Sequence, residues 1–256
     1  MDGMISGPNT VPTAPVSHGA TDDRLAGVLK IIRPDSVLGT LADRDLLTLL
    51  RQSTMRRLPK QRVLFRCGDE GRSVVLILQG YVKLSYTAAN DREVVLEIAG
   101  PGTIFGELAV LNGSPRRADA TCLTACRVLA IEGGAFRHAL ARTPEAMLAA
   151  IRLLSERLYA VTARNIDAVA LPASVRLAKA LLHLADLRAR NADAETLIDF
   201  RLSQRELGAM TGLIRESVNK HLKAWRAAGW VTLAAGVVKL RDMHALQDFV
   251  RHNAAA

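Results

Sequence analysis

A single carboxylate, Glu107, stands in the apolar run Ile104-Phe105-Gly106-Glu107-Leu108-Ala109-Val110-Leu111. Arg116 and Arg117 follow nine and ten residues later, past the turn Asn112-Gly113-Ser114-Pro115. A carboxylate beside apolar residues needs donors, such as hydroxyls or backbone amides. An arginine offers a planar fork that matches phosphate. The turn folds the chain back, so one ligand carrying a sugar hydroxyl and a phosphate, a nucleotide, satisfies both. A single phosphodiester charge suits this pattern better than a triphosphate, for which a Gly-rich lysine loop is expected. The alternative is a structural ion pair between Glu107 and Arg116 that serves no ligand.

A second set of polar residues lies near the other end of the chain. Leu202-Ser203-Gln204-Arg205-Glu206 has the spacing of a capping box, with Ser and, three residues on, Glu. Met210-Thr211-Gly212-Leu213 marks a tight turn, and Arg215 to Trp225 reads as a further helix. Helix, Gly-containing turn and helix form the helix-turn-helix pattern. On the last helix Arg215 and Asn219, and less directly Glu216 and Lys220, lie near one exposed face, with Val218, Leu222 and Trp225 on the other. Such polar groups on one helix face are what major-groove readout requires. His221, on the same helix, reads as a phosphate contact rather than a catalytic base. Elsewhere the sequence has no nucleophile–base pairing, no metal-ligand cluster and no P-loop, so neither enzymatic activity nor a metal is expected. Cys122 and Cys126 read as small buried strand residues, and three cysteines without a secretion signal suggest no disulfide framework.

These residues need a scaffold, and the sequence divides into four segments. Residues 1–22 are rich in Gly, Pro, Ser and Thr and read as a disordered tail without signal-peptide character. Residues 23–142 form a sensor domain. Its apolar runs, such as Val63-Leu64-Phe65 and Val74-Val75-Leu76-Ile77-Leu78, alternate with Gly and Asn turns, the pattern of a β-sandwich or barrel. Residues 143–171 form one long helix opened by Thr143 as cap and Pro144 at the first position. Met147, Ile151, Leu154, Leu158, Val161, Asn165 and Ala168 give it a heptad seam suited to a second copy of the chain. Leu171-Pro172 breaks it. Residues 172–256 are mostly helical, and Trp230 to Leu240, around Ala235-Gly236, reads as a β-hairpin wing. The class is α+β. The 256 residues carry a formal charge of +9, and residues 172–256 hold 13 Lys and Arg against 8 Asp and Glu. That balance suits a polyanion. No apolar run is long enough to span a membrane, so a cytoplasmic protein is expected.

The stretch through Gly106-Glu107-Leu108 and Ser114-Pro115-Arg116 resembles the phosphate-binding cassette of the cyclic-nucleotide-binding domain, a jelly-roll-like β-roll. Gly68, Gly80 and Gly102 resemble the turn glycines of that roll, and residues 203–225 resemble the helix-turn-helix of the Crp/Fnr transcription regulators. The resemblance covers roughly residues 35–250. It implies that Glu107 holds the ribose 2′-hydroxyl and that Gly106 and Leu108 lie along the ribose-phosphate. Arg116 neutralises the cyclic phosphate, with the amides of Arg117 and Ala118 nearby, and Thr162 offers the base a hydroxyl across the dimer. It also implies cAMP, with cGMP next, as an allosteric effector; a homodimer through helix 143–171; and double-stranded DNA and RNA polymerase as partners. Ser203, Arg215, Glu216, Ser217, Asn219 and Lys220 would serve DNA, at inverted half-sites like TGTGA about one helical turn apart. The sequence departs from the family pattern at Arg117, where a small residue is usual, and at Val161, where cAMP sensors carry a hydroxyl beside that of Thr162. It departs again at Leu213-Ile214, which replaces a Ser cap, and at Lys220, where Arg is frequent. A regulator answering a redox, gas or other anionic signal, through haem for example, or no small molecule at all, is the alternative.

Overall fold

The computed structural model describes residues 25–189, 202–234 and 237–254; the expected tail 1–22 and the wing tip at Ala235-Gly236 lie outside them. A short helix α1 (25–29) and α2 (Asp43–Gln52) lead into eight strands, β1 (Thr54–Leu58), β2 (Val63–Phe65), β3 (Ser73–Gln79), β4 (Val82–Thr87), β5 (Glu93–Ala99), β6 (Ile104–Phe105), β7 (Asp119–Cys122) and β8 (Cys126–Glu132). They form two four-stranded sheets, ordered β1-β8-β3-β6 and β2-β7-β4-β5. Val75, Ile77, Phe105 and Val128 of one sheet pack against Val82, Ala99, Ala120 and Cys122 of the other. The continuous apolar run of β3 follows from burial on both faces. Val75 and Ile77 point between the sheets, while Val74, Leu76 and Leu78 meet a second core under α2 and α4 (Gly133–Arg142). Cys122 and Cys126 are buried strand residues, as expected, and all three cysteines are free.

The turn glycines at 68, 80 and 102 all have positive φ, from 80° to 91°. The β-rich reading of the sensor domain passed over α2, where the helical Leu46, Leu49 and Leu50 spacing is brief, and α3 (Glu107–Asn112).

The long helix, α5, runs from Pro144 to Ala170, about 40 Å at 1.5 Å per residue. Thr143 occupies its N-cap position, yet the hydroxyl makes no capping bond. Pro144 has no amide N–H that would need an acceptor there, and its fixed φ suits the first helical position. Only Ala146, Ala149 and Ala150 are buried. Along the seam, Met147, Ile151, Leu158 and Val161 stay 41–66% exposed, so the apolar stripe faces away from its own sensor domain.

After Leu171-Pro172, α6 (Ala173–Ala189), α7 (Gln204–Thr211), α8 (Arg215–Ala227), the β9–β10 hairpin (Val231–Ala234 and Val237–Leu240) and α9 (Met243–Asn253) share a core of Leu177, Leu181, Leu207, Leu222, Trp225 and Leu246. The same core extends onto Tyr81, Val95, Ile98 and Leu123 of the sensor, so the helical domain seats on the β4–β5 side of the roll. Among the described residues, no helix is long and apolar enough to cross a membrane.

Candidate functional site

Glu107 opens α3 one residue after the two-residue strand β6, and its side chain is 2% exposed. Gly106, the residue between them, has φ of 82°, and a Cβ there would come within 2.3 Å of Arg116 Nη1. Only glycine meets both demands. Arg116 is 4% exposed. Its Nη1 donates to the Gly106 carbonyl at 2.8 Å and its Nη2 to the Ser73 carbonyl at 2.6 Å. The guanidinium carbon lies 4.2 Å from the centroid of the Phe65 ring. Burial lowers the Arg116 pKa, opposed by the carboxylates of Glu107 and Asp69; arginine nonetheless stays charged. A cavity of about 230 Å³ opens beside it, lined by Leu64, Phe65 and Ser73 and by two further arginines, Arg56 and Arg72.

The alternative ion pair between Glu107 and Arg116 is not formed. Glu107 Oε1 accepts instead from Nη1 of Arg157, on α5. Arg157 also donates to the Ile104 carbonyl at 2.7 Å and approaches Glu97 Oε2 at 3.6 Å. Burial works against its charge, but Glu97 and Glu107 outweigh that and raise its pKa. The sequence reading missed this residue, which lies 50 positions from Glu107. One signal was available. Arg164 follows one heptad later on the same flank and donates to the Leu96 carbonyl, so two heptad-spaced arginines border the seam. Two buried atoms of the cluster have no hydrogen-bond partner in the protein, Glu107 Oε2 and Arg116 Nε. A buried polar group left so costs about 1–3 kcal/mol.

The other expected ligand residues spread around this centre. Leu108 is 46% exposed on α3. Arg117 is exposed where Arg116 is buried, in keeping with strand-like alternation, and Ala118 is half-buried. Thr162 is exposed on α5, outside the buried cluster.

In the helical domain the capping box is complete. Ser203 Oγ accepts from the Glu206 amide, and the Glu206 carboxylate accepts from the Ser203 amide. Gly212 follows with φ of 72°, and α8 starts at Ile214 without a side-chain cap, as the sequence implied. Val218, Leu222 and Trp225 are buried. Arg215, Glu216 and Lys220 are exposed and Ser217 is half-buried. Asn219 departs from the expected exposed face. It is half-buried toward α7, where its Oδ1 accepts from Gln204 Nε2 at 3.3 Å. Lys223, exposed beside Glu216 and Lys220 at helical spacing, was missed. His221 is half-buried, 6.1 Å from the Trp225 ring, and burial followed by the Lys220 charge lowers its pKa.

The two domains also meet through charge. Lys83 on β4 pairs with Glu93 at 2.7 Å and reaches Glu206 on α7 at 3.6 Å. Arg92 donates to the Gly212 carbonyl at 3.0 Å, in the turn before α8. A cleft of about 220 Å³ between them is lined by Asp91, Glu93, Arg205, Ile214 and Arg215. Among the described residues no cluster of three or more His, Cys, Asp or Glu is set to hold a metal ion.

Residues 55–143 match the cyclic nucleotide-binding domain, and residues 175–249 match the Crp-like helix-turn-helix domain. The chain is 28% identical over 221 residues to the CRP-like cAMP-activated global transcriptional regulator of Mycobacterium tuberculosis, covering 86% of this chain and 95% of that one. It is 30% identical over 206 residues to the cyclic AMP receptor protein of Thermus thermophilus, covering 75% and 87%. Among solved structures, it resembles the c-di-GMP responsive global regulator CLP of Xanthomonas campestris, with a TM-score of 0.66 at 25% identity over 78% of this chain and all of the other. A CRP-family transcriptional regulator of Thermus thermophilus gives a TM-score of 0.64 at 27% identity, covering 77% and 96%.

Proposed function

Since the chain belongs to the Crp/Fnr family of transcription regulators, we propose that a cyclic nucleotide bound at Glu107 and Arg116 controls its sequence-specific binding to DNA. It acts in the cytoplasm as a homodimer through α5, at palindromes of TGTGA-like half-sites, and contacts RNA polymerase rather than catalysing a reaction. The observation that carries this reading is the pair of buried atoms without protein partners. Glu107 Oε2 is an acceptor for a ribose 2′-hydroxyl, and Arg116 Nε is a donor for a phosphate oxygen. The amides of Leu108, Arg117 and Ala118 and the exposed Thr162 hydroxyl supplement them. cAMP is the first expectation, in line with one relative named as cAMP-activated and another as a cyclic AMP receptor, and cGMP the second.

Arg157 gives the site a route to the DNA-reading head. A ligand hydroxyl sharing the Glu107 carboxylate alters the grip of α5 on the pocket. Meanwhile Lys83 and Arg92 hold α7 and its turn against the sensor, with Arg215 lining the same cleft as Asp91 and Glu93. A ligand that favours a different α5 position shifts the population away from this docked arrangement. Once free, Arg215 pairs with guanine O6 and N7, Glu216 accepts from cytosine N4, and Lys220 contacts a second guanine.

The test is a fluorescence-anisotropy titration of a TGTGA-palindrome duplex at fixed salt, alone and with cAMP or cGMP. One nucleotide should tighten specific binding about tenfold, near 1.4 kcal/mol of coupling. Specific binding indifferent to both would remove the nucleotide from the reading. Arg116→Lys keeps the charge but loses the fork, so the response should vanish while the dimer persists. Unchanged nucleotide affinity in that variant would move the phosphate site elsewhere.

A further inference from the structure

The amide pair between Gln204 and Asn219 has no place in the function argued so far. The core of α8 is filled by Val218, Leu222 and Trp225 and has no need of Asn219. Asparagine inside a helix is less favourable than alanine. Its neighbour on α7 is nevertheless a glutamine whose Nε2 donates to its Oδ1 at 3.3 Å, and both side chains are half-buried. Such a bond fixes which way the asparagine carboxamide faces. Oδ1 keeps one free lone pair, and Nδ2 keeps both of its N–H groups.

From this pair we infer that Asn219 reads an adenine in the DNA half-site and that Gln204 is its positioning residue. The inference rests on the reading of α8 as the groove-entering helix. One free acceptor beside free donors is complementary to adenine, which presents N6–H and N7 along one edge. Guanine offers two acceptors there, cytosine a donor, and thymine an acceptor with a methyl group, so none of them engages both groups of the amide. The location follows from the helix. Asn219 lies one turn after Arg215, about 6 Å along the axis, and just before Lys220. It therefore falls between the two guanines assigned to Arg215 and Lys220, where a TGTGA half-site carries a T·A pair.

The experiment measures anisotropy Kd values of the full-length chain, at fixed salt, on palindromes in which that middle pair is T·A, A·T, G·C or C·G. Each series is run without nucleotide, with cAMP and with cGMP. Wild type should prefer T·A by about tenfold or more. Asn219→Ala should abolish that preference and leave those at the guanine pairs in place. Gln204→Met, which keeps bulk and removes the bond, should narrow it several-fold without changing the melting temperature or binding to unrelated DNA. A scaffolding role alone moves stability and leaves base preference untouched. Guanine preferences present with the middle preference unchanged in Asn219→Ala would overturn the inference alone. No preference at any position, in any of the three conditions, would overturn the DNA reading and this inference together. A preference lost in Asn219→Ala but intact in Gln204→Met would remove Gln204 from its role.

Discussion

Two sets of charges carry the proposed function, and they are built in opposite ways. In the sensor, Glu107, Arg116 and Arg157 are locked by carbonyls, an aromatic ring and one another, and Glu107 and Arg116 are almost wholly buried. On α8, Glu216, Lys220 and Lys223 stand in solvent. On the proposed function, the contrast follows from ligand size. A small anion provides few contacts, so each must act in a low dielectric with its geometry set in advance. A duplex offers many phosphates and edges, and exposed charges meet them at little desolvation cost. The buried set is consequently coupled to folding, while the exposed set is nearly independent of it.

Substitution should separate the two sets sharply. Arg157→Ala leaves Glu107 buried without its partner, and breaking such a pair costs about 3–5 kcal/mol. The melting temperature should fall by roughly 10 °C, whereas Glu216→Ala should leave it within about 1 °C, both read by calorimetry. A double variant, Glu107→Gln with Arg157→Met, should recover much of the loss. Equal sensitivity at the two places would end the comparison.

A smaller effect is expected at Gly106. Alanine there forces a positive φ and meets the Arg116 guanidinium, at a cost of about 2 kcal/mol. Nucleotide affinity, measured by calorimetric titration, should fall by tenfold or more because Arg116 must move.

The clasp between the domains lies between the extremes. Lys83→Met removes its pairing with Glu206, and nucleotide-free DNA affinity should rise about threefold. Burial, the largest influence, opposes the Glu93 charge, but the hydrogen bonds from Lys83 and Ser85 together with the charges of Lys83 and Arg205 outweigh it and keep its pKa below the ordinary 4.5. The contribution of Glu93 is therefore complete above that value and lost as pH falls through the lowered one. Nucleotide-free DNA affinity should then be flat, as regards this group, from pH 6 to 8 and rise only below the ordinary 4.5, and a titration carried down through that value checks the sign. Smallest of all, Lys223→Ala should weaken DNA binding uniformly across sequences and reduce the salt slope by about 0.9.

Legibility in the sequence tracked the range of each interaction. Glu107 and Arg116 were readable because only a six-residue helix and a short turn join them, and the capping box at Ser203 and Glu206 because it is local. The strand β3 was readable because both of its faces are buried. Arg157 was not, since its partners lie 50 and more residues away and appear only once α5 crosses the roll. The orientation of Asn219 was hidden for a related reason. Helical spacing placed it near Arg215, but only the packing of α7 determines that it faces Gln204. Thr143 shows the converse, a residue whose type signalled a cap that its hydroxyl does not make.

The length of α5 has a mechanical consequence. Arg157 grips the pocket about 20 Å, at 1.5 Å per residue, from the point where the helix ends at Leu171. If that grip is a fulcrum, a tilt of about 5° displaces the far end by nearly 2 Å, given that rise per residue. Hydrogen bonds weaken over a fraction of that distance. On that footing the helix is a lever arm, and a tilt of this size would part Arg92 from the Gly212 carbonyl, now 3.0 Å away. The travel of the far end for a given tilt is then set by where along the helix the arginine stands.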